Sequence, residues 1–207
     1  MTFQGWWEQL TGATCPGCGQ SLHQPLLCAN CRALLVPRHL PHFVYLGDYQ
    51  RFGQLAKAIK YQGRRELATF LGQQIALGAK QAEWRLDGIT SVPTLFNRKV
   101  KRGYNQAELL AQAVAEKLHV PYQDLLLRVT WDTSQTRKTL QKRLELPETT
   151  FQPKSPVKGI WLLVDDVVTT GTTFERARKA LLEAGATRVF GAAIAVKSPH
   201  DLSRYSL

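Results

Sequence analysis

The chain has 207 residues, 44% of them apolar, which is enough for one α/β domain of about 150 residues plus a small appendage. Its 27 Lys and Arg against 16 Asp and Glu give a formal net charge of +11, which favours anionic ligands. No stretch is apolar and uncharged for long enough to span a bilayer, and no basic region followed by an apolar core opens the chain. We therefore expect neither membrane insertion nor export, and a cytoplasmic location.

Two Cys-x-x-Cys pairs lie near the N-terminus, Cys15 with Cys18 and Cys28 with Cys31. Two such pairs can present four thiolates tetrahedrally to one zinc ion, and Gly19 relieves the backbone where the first pair turns. A redox pair and disulfides are the alternatives, and both are disfavoured by the duplicated pair and the lack of an export signal. Because four protein ligands leave no open coordination position, this zinc would organise structure rather than activate water.

The hydrophobic pattern divides the chain into a small module and a larger domain. Residues 1–41 form the zinc-binding module, ending in a proline-containing segment, 37–41, that is expected to be a rigid linker, and residues 42–207 form the domain. Strands are predicted at 43–49, 88–92, 125–129, 160–164 and 188–196, and helices at 54–60, 66–80, 105–118 and 174–185. This alternation indicates an α/β fold with a parallel sheet flanked by helices.

A basic segment follows the strand predicted at 88–92. Arg98 and Arg102 offer planar guanidinium forks for bidentate phosphate contacts, Gly103 permits a tight turn, and Asn105 can cap the next helix. A pyrophosphate group would suit this segment, nucleic-acid phosphate is the rival ligand, and a solvated basic surface without a ligand is the third alternative.

The segment 130–158 is polar, basic and rich in Thr and Gln, and it is interrupted by three prolines. A long irregular stretch inside a compact domain is typically functional or mobile, so we expect a mobile loop here. The alternative is an ordinary surface excursion with a short helix around Leu140.

The most informative stretch is 160–173. Residues 160–164 are too few for a helix core and predict a strand buried on both faces, with Asp165 and Asp166 at its carboxyl end, where ligands bind in open α/β sheets. The hydroxyl-rich residues 169–173 can form an anion-binding nest at the start of a helix. An ordinary strand and capped turn is the alternative, but it leaves two adjacent carboxylates without partners. The combination suits a phosphorylated sugar.

This stretch resembles the 5-phosphoribosyl 1-pyrophosphate (PRPP) motif of type I phosphoribosyltransferases: two acids, two apolar residues and Thr-Thr-Gly-x-Thr. The resemblance implies that Asp165 and Asp166 hold the ribose hydroxyls and that Mg²⁺ binds with PRPP. It implies catalytic contacts from Arg98 and Arg102 to pyrophosphate, and closure of the loop 130–158 over the ligand. The residues implied to bind PRPP beyond the two acids are Val167, Thr169, Thr170, Gly171, Thr172 and Thr173.

Further matches extend over nearly the whole chain. The run Arg98-x-x-x-Arg102-Gly103-Tyr104-Asn105-Gln106, the cysteine pairs, Lys60-Tyr61 with Gly63, and Gln135 with Arg143 follow the order seen in the ComF family of competence proteins and GntX-like relatives. The family often has Asn three residues after the position of Arg143, whereas this chain has Leu146. The chain is identified as a member of this family, which implies a type I phosphoribosyltransferase fold with a small N-terminal four-cysteine zinc module.

The resemblance implies a PRPP-binding protein that handles single-stranded DNA during DNA uptake and transformation, with a DNA-uptake or helicase protein as partner. An active phosphoribosyltransferase of nucleotide metabolism or salvage, and a PRPP-sensing regulator without DNA binding, are the alternatives. Whether the chain is an enzyme stays open, because no residue can be assigned to an acceptor base. Tyr61 and Tyr104 are candidates for stacking on bases. The predicted nucleic-acid contacts come from basic residues, namely Lys60, Arg64, Lys99, Lys101, Arg137, Lys138 and Arg143.

Overall fold

A mostly parallel sheet lies at the centre of the computed structural model, which describes residues 13–22, 26–95, 100, 103–129 and 151–199. The strands are β1 Ala13–Thr14, β2 Ser21–Leu22, β3 Arg38–Leu40, β4 Phe43–Asp48, β5 Gly88–Ser91, β6 Leu126–Arg128, β7 Phe151–Pro153, β8 Ile160–Val168 and β9 Arg188–Val196. The helices are α1 Ala29–Ala33, α2 Tyr49–Gln62, α3 Arg65–Gln81, α4 Gln106–Leu118 and α5 Thr172–Glu183. None of the helices in these ranges has the length and apolar character needed to cross a bilayer.

Within the described residues the main sheet has five strands in the order β3-β4-β9-β8-β5. Strands β4, β9, β8 and β5 run parallel to one another, and β3 pairs antiparallel with β4 at one edge. Two short antiparallel pairs, β1 with β2 and β6 with β7, lie outside this sheet. The predicted α/β fold with a parallel sheet is confirmed.

The central strand β8 is buried on both faces, as its continuous apolar run predicts. Leu162 and Val164 join the apolar cluster that contains α2, α3 and α4. Leu163, pointing to the other face, joins the cluster that contains Phe174 and Leu181 of α5. Helices therefore cover both faces of the sheet, and the end of the sheet that is formed by the carboxyl ends of its strands is left open.

Strand β8 is longer than predicted and contains both acids. It continues to Val168 because β9 supplies partners along its length, pairing Asp165 with Ala193 and Val168 with Val196. The acids therefore lie within the last part of the strand rather than after its end.

The segment predicted to be a linker is instead part of the main sheet. Arg38 to Leu40 pair antiparallel with β4, with Arg38 opposite Tyr45. Without this partner β4 would be an unprotected edge with unpaired backbone groups, which explains why a strand forms here. The linker prediction is wrong, since β3 connects the cysteine module to the sheet through backbone pairing.

Gly72 permits the close contact between α3 and α4. A Cβ atom at this position would lie 2.6 Å from the Cβ of Ala113 and 2.8 Å from the carbonyl oxygen of Leu110. We expect Gly72→Val to cost about 1–3 kcal/mol through overpacking and to lower the melting temperature by several degrees. Thermal unfolding tests this, with Gln73→Val on the exposed face of the same helix as control; equal melting of the two variants would contradict the account.

Candidate functional site

A cleft of about 320 Å³ opens at the carboxyl ends of β5 and β8. One wall consists of Asp165 and Asp166 together with the loop that leads into α5. The opposite wall consists of residues that follow β5 and of the beginning of α4. The cleft lies where open parallel sheets bind ligands, and its volume falls at the lower end of the roughly 300–1,000 Å³ typical of small-molecule sites. Of the residues predicted to bind PRPP beyond the acids, those that line it are Val167, Thr169, Thr170, Gly171 and Thr173.

The described groups around Asp165 and Asp166 stabilise the ionised carboxylates only in part. The Oδ1 atom of Asp165 accepts a hydrogen bond from the backbone N–H of Asp166 at 2.8 Å, and Oδ1 of Asp166 accepts one from Val167 at 2.9 Å. Burial raises the pKa of Asp165 well above its ordinary value, and the neighbouring Asp166 carboxylate raises it further. The positive charge of Arg128 opposes this rise. A cation or a hydroxyl-bearing ligand in the cleft would therefore stabilise the ionised acids.

Gly171 shapes the loop between the acids and α5. Its φ of 78° is in the left-handed region, which glycine adopts without strain, and it occupies the N-cap position of α5 without a side-chain cap. Helix α5 begins at Thr172, two residues earlier than predicted. The backbone N–H groups of its first turn have no side-chain cap and lie at the end of the threonine-containing loop. The side-chain oxygens of Thr170 and Thr172 lie 3.2 Å apart. Such a helix start suits an anionic group.

The wall opposite the acids contains two buried amides. Asn105 precedes α4, but its side chain donates to the Val92 carbonyl oxygen at 3.2 Å instead of capping the helix, so the predicted side-chain cap is wrong. Gln106 is only 3% exposed and lines the cleft. Its Nε2 atom has no hydrogen-bond partner among the described residues. A buried donor without a partner is costly, and an acceptor oxygen that reached this amide would offset that cost.

Two cationic side chains also line the cleft, Lys60 from the last turn of α2 and Arg128 from β6. The guanidinium carbon of Arg128 lies 5.5 Å from the centre of the Phe151 ring, which supports the side chain from β7. No pattern in the sequence predicted a ligand contact from Arg128 or Gln106. The only signal for Arg128 was its place at the end of a short strand before the long polar segment.

The predicted nucleic-acid contacts have different outcomes. Arg64 is 8% exposed and donates to the Thr14 carbonyl oxygen at 3.0 Å, a buried structural position that does not suit contact with nucleic acid. Tyr61 is 65% exposed. Tyr104 is half-buried and its hydroxyl donates to the Ile59 carbonyl oxygen, so it is not the exposed stacking residue predicted. The predicted residues that lie outside the described ranges are Arg98, Lys99, Lys101, Arg102, Arg137, Lys138 and Arg143, with the part of the predicted loop at 130–150.

The four cysteines come together in one cluster that could hold zinc. Their sulfur atoms all lie within 4.8 Å of one another, and those of Cys18 and Cys28 are 3.7 Å apart. Tetrahedral zinc with Zn–S bonds of about 2.3 Å requires sulfur separations of roughly 3.8 Å. Gly19 has a φ of 78°, as the predicted turn requires. Gly17, which sequence analysis did not single out, leaves space for Cys31, whose sulfur would be 2.8 Å from a Cβ there.

Residues 105–205 match the family described as phosphoribosyl transferase domain. The chain is 32% identical to DNA utilization protein YhgH of Salmonella typhimurium over 84% of this chain and 80% of that protein. It is 28% identical to competence protein ComFC of Bacillus subtilis over 86% of this chain and 75% of that protein. Among solved structures, glutamine PRPP amidotransferase from B. subtilis aligns with a TM-score of 0.47 and 22% identity, covering 67% of this chain and 30% of that chain.

Proposed function

The chain belongs to the family of DNA utilization protein YhgH and the ComF competence proteins, and from this membership we propose that its cleft binds PRPP. The observation that carries the proposal is one cleft lined by two acids, a glycine-threonine loop and Gln106, whose buried Nε2 atom has no hydrogen-bond partner among the described residues. In this proposal Asp165 and Asp166 hold the ribose hydroxyls, and residues 169–173 hold the 5-phosphate with backbone N–H groups and threonine hydroxyls.

Magnesium fits the proposed site. Asp165 and Asp166 provide carboxylate oxygens, the ligand type that Mg²⁺ prefers, beside space for phosphate oxygens. Burial first, and then the adjacent Asp166 carboxylate, raise the pKa of Asp165, and a bound cation would oppose that rise. When bound with PRPP, Mg²⁺ would neutralise and orient the pyrophosphate oxygens.

The pyrophosphate end of PRPP needs cationic and amide partners. We propose Arg98 and Arg102, from the family motif, for this role. Three further side chains that carry N–H donors line the cleft and are proposed to contact the pyrophosphate as well, namely Arg128, Lys60 and Gln106.

A titration of the protein with PRPP in the presence and absence of Mg²⁺ tests the proposed ligand. We expect saturable binding that strengthens with Mg²⁺, and weaker binding of ribose 5-phosphate and of pyrophosphate, since each occupies only part of the site. If PRPP binds no more tightly than inorganic pyrophosphate, the ribose and 5-phosphate contacts of the acidic loop are not made and the proposal fails.

Arg128→Gln is expected to weaken PRPP binding by roughly 10- to 100-fold, the effect of losing one charge-assisted hydrogen bond of about 1.5–3 kcal/mol. Because Arg128 opposes the rise in the pKa of Asp165, its removal should raise that pKa further. As the pH falls, Asp165 of the variant should therefore be protonated, and PRPP binding lost, at a higher pH than in the wild type. Calorimetric titration across pH measures both effects.

Lys154→Gln is the matched control, because Lys154 is a cation that bonds to Asp124 at 2.6 Å and does not line the cleft. An unchanged pH profile in Arg128→Gln would contradict the electrostatic effect of Arg128 on Asp165.

Single-stranded DNA is the second ligand that we propose. The relatives are named for DNA utilization and competence, and this chain carries a net charge of +11, more than one small anion requires. Binding should weaken steeply as salt rises, because phosphate contacts release counterions. The residues proposed beyond the described ranges are Lys99, Lys101, Arg137, Lys138 and Arg143. Neutralising them should reduce the salt dependence; binding that does not respond to salt would count against a basic DNA surface.

Transfer chemistry is the second candidate function, favoured by the match of residues 105–205 to a phosphoribosyl transferase domain. The reaction would displace pyrophosphate from the anomeric carbon by a nitrogen nucleophile, with catalysis from positioning and charge stabilisation. Pyrophosphate release that requires an added base or nucleotide would establish an enzyme. Binding of PRPP without release under any acceptor would favour a PRPP-sensing regulator.

A further inference from the structure

A second cavity of about 270 Å³ adjoins the cleft on the side of α2. One face of α2 forms most of it, with side chains spaced at helical intervals from Tyr49 to Tyr61, and the end of β8 closes it. The opposite face of α2 is fixed in the core by Phe52, Leu55 and Ile59, each no more than 4% exposed. The cavity is therefore part of the rigid framework of the fold.

Small and aromatic residues shape this α2 cavity. Gly53 and Ala56 lack bulk, and a Cβ at Gly53 would lie 2.9 Å from the Tyr49 ring, so the ring lies directly over the glycine. Tyr61, at the other end of the face, is 65% exposed. The exposed Tyr61 ring beside a small-residue floor provides a stacking surface for a flat, unsaturated ligand.

Cations accompany the aromatic rings. Lys57 is exposed on the same helix face, and the Nζ atom of Lys60 lies 5.8 Å from the centre of the Tyr61 ring. Lysine side chains alone would suit an inorganic anion, and aromatic rings alone would suit an apolar ligand. A nucleotide needs both, because it joins a planar base to a phosphate.

We propose that the α2 cavity is a nucleotide site, which takes a base against the Tyr61 ring and its phosphate at Lys57, one helical turn away. The inference rests on the proposed function and gives its DNA-handling part a location. The α2 cavity shares Lys60, Asp166, Val167 and Thr169 with the PRPP cleft, so a nucleotide bound there lies next to PRPP. Its volume suits one base rather than a duplex.

Fluorescence anisotropy with a labelled oligothymidylate, measured on the full chain without PRPP, tests this site. Tyr61→Ala should weaken binding on the order of tenfold, whereas Tyr61→Phe, which keeps the ring, should bind like the wild type. Lys57→Gln should weaken binding and lower the slope of log affinity against log salt by about one. Arg51→Gln is the matched control, because Arg51 is an exposed cation on α2 that does not line the cavity.

Competition with free thymidine monophosphate distinguishes the two sources of the ligand. If the monophosphate displaces the oligonucleotide in a Tyr61-dependent manner, the cavity binds a single nucleotide; if only the oligonucleotide binds with that dependence, the cavity belongs to a strand-binding surface. Either result supports the site. Wild-type affinity in Tyr61→Ala, or equal losses in Lys57→Gln and Arg51→Gln, would overturn it.

Two variants distinguish a failure of the α2 nucleotide site from a failure of PRPP binding. Asp165→Asn should retain oligothymidylate binding, and Tyr61→Ala should retain Mg²⁺-dependent PRPP binding. A protein that binds the oligonucleotide through Tyr61 but never binds PRPP would contradict the proposed function and leave the α2 cavity as a nucleotide site.

Discussion

The Asp165→Asn variant is expected to melt at a higher temperature than the wild-type protein when no ligand is present at neutral pH, and to lose PRPP binding. Both effects have the same origin. Burial and the adjacent Asp166 carboxylate disfavour the ionised form of Asp165, which is the form that a ribose hydroxyl or Mg²⁺ requires. The asparagine removes the cost of the charge and with it the ligand contact, a trade of stability against function.

The direction of the pH effect follows from the raised pKa. The folded protein retains the Asp165 proton to higher pH than the unfolded chain does, whose aspartate titrates near 3.8. The free energy of unfolding therefore falls as pH rises from that value towards the raised pKa, and stays lower above it. The stability advantage of Asp165→Asn should be absent at acidic pH below that range, grow as the pH rises through it, and be complete only above the raised pKa.

Thermal unfolding across pH and calorimetric titration with Mg²⁺ and PRPP measure these effects. We expect a rise of a few degrees in the melting temperature and a loss of affinity of roughly 100-fold or more, since a charged contact of up to about 3 kcal/mol disappears. Asp124→Asn, an exposed aspartate outside the cleft, is the control. A lower melting temperature of ligand-free Asp165→Asn at neutral pH, or wild-type affinity for PRPP, would contradict the assignment.

Removal of zinc is expected to destabilise the whole chain and not only its N-terminal module. Cys15 and Cys28 belong to the same apolar cluster as Leu67 and Leu71 of α3. The guanidinium carbon of Arg32 lies 5.5 Å from the centre of the Phe70 ring, and this contact also joins the module to α3. Because a structural zinc site supplies folding free energy, its loss should expose this shared surface.

We expect one zinc per chain, and a melting temperature lower by about 6–12 °C in Cys28→Ser, as a loss of roughly 3 kcal/mol implies for a chain of this size. We choose Cys28 because its loss removes two interactions: the zinc ligand, and the hydrogen bond that its sulfur accepts from the Cys31 N–H at the start of α1. Ser21→Ala, on the exposed β2 of the same module, is the control. Protein that contains no metal and melts unchanged after chelation would contradict the zinc site.

The local patterns in the sequence predicted four of the five strands of the main sheet, β4, β5, β8 and β9, and the helices that flank them, because these depend on short-range chemistry. The apolar run of β8 and the acids and threonines that follow it are adjacent in the chain. The two cysteine pairs likewise need only a turn and a short helix to meet.

Features that depend on a partner outside the local pattern could not be predicted in this way, whether the partner is the next segment, as for β3, or a distant one, as for Arg64. The strand β3 forms because β4 needs an edge partner, and Arg64 is buried because the cysteine module packs against it through Thr14. Both contacts join residues that periodicity does not relate.

The positions of Gln106 and Arg128 beside the cleft also became apparent only in three dimensions. Their positions in the sequence indicated a helix start and a strand end, whereas the fold brings both side chains to the cleft that contains Asp165. Gln106 differs from an ordinary buried amide only because its Nε2 atom has no hydrogen-bond partner among the described residues.

A crystal structure of the protein with Mg²⁺ and PRPP bound is the most direct test of the cleft assignment. We predict the 5-phosphate at residues 169–173, the ribose hydroxyls at Asp165 and Asp166, and the pyrophosphate towards Gln106 and Arg128. PRPP bound at another surface, or bound in this cleft with its pyrophosphate rather than its 5-phosphate at the threonine loop, would contradict the account.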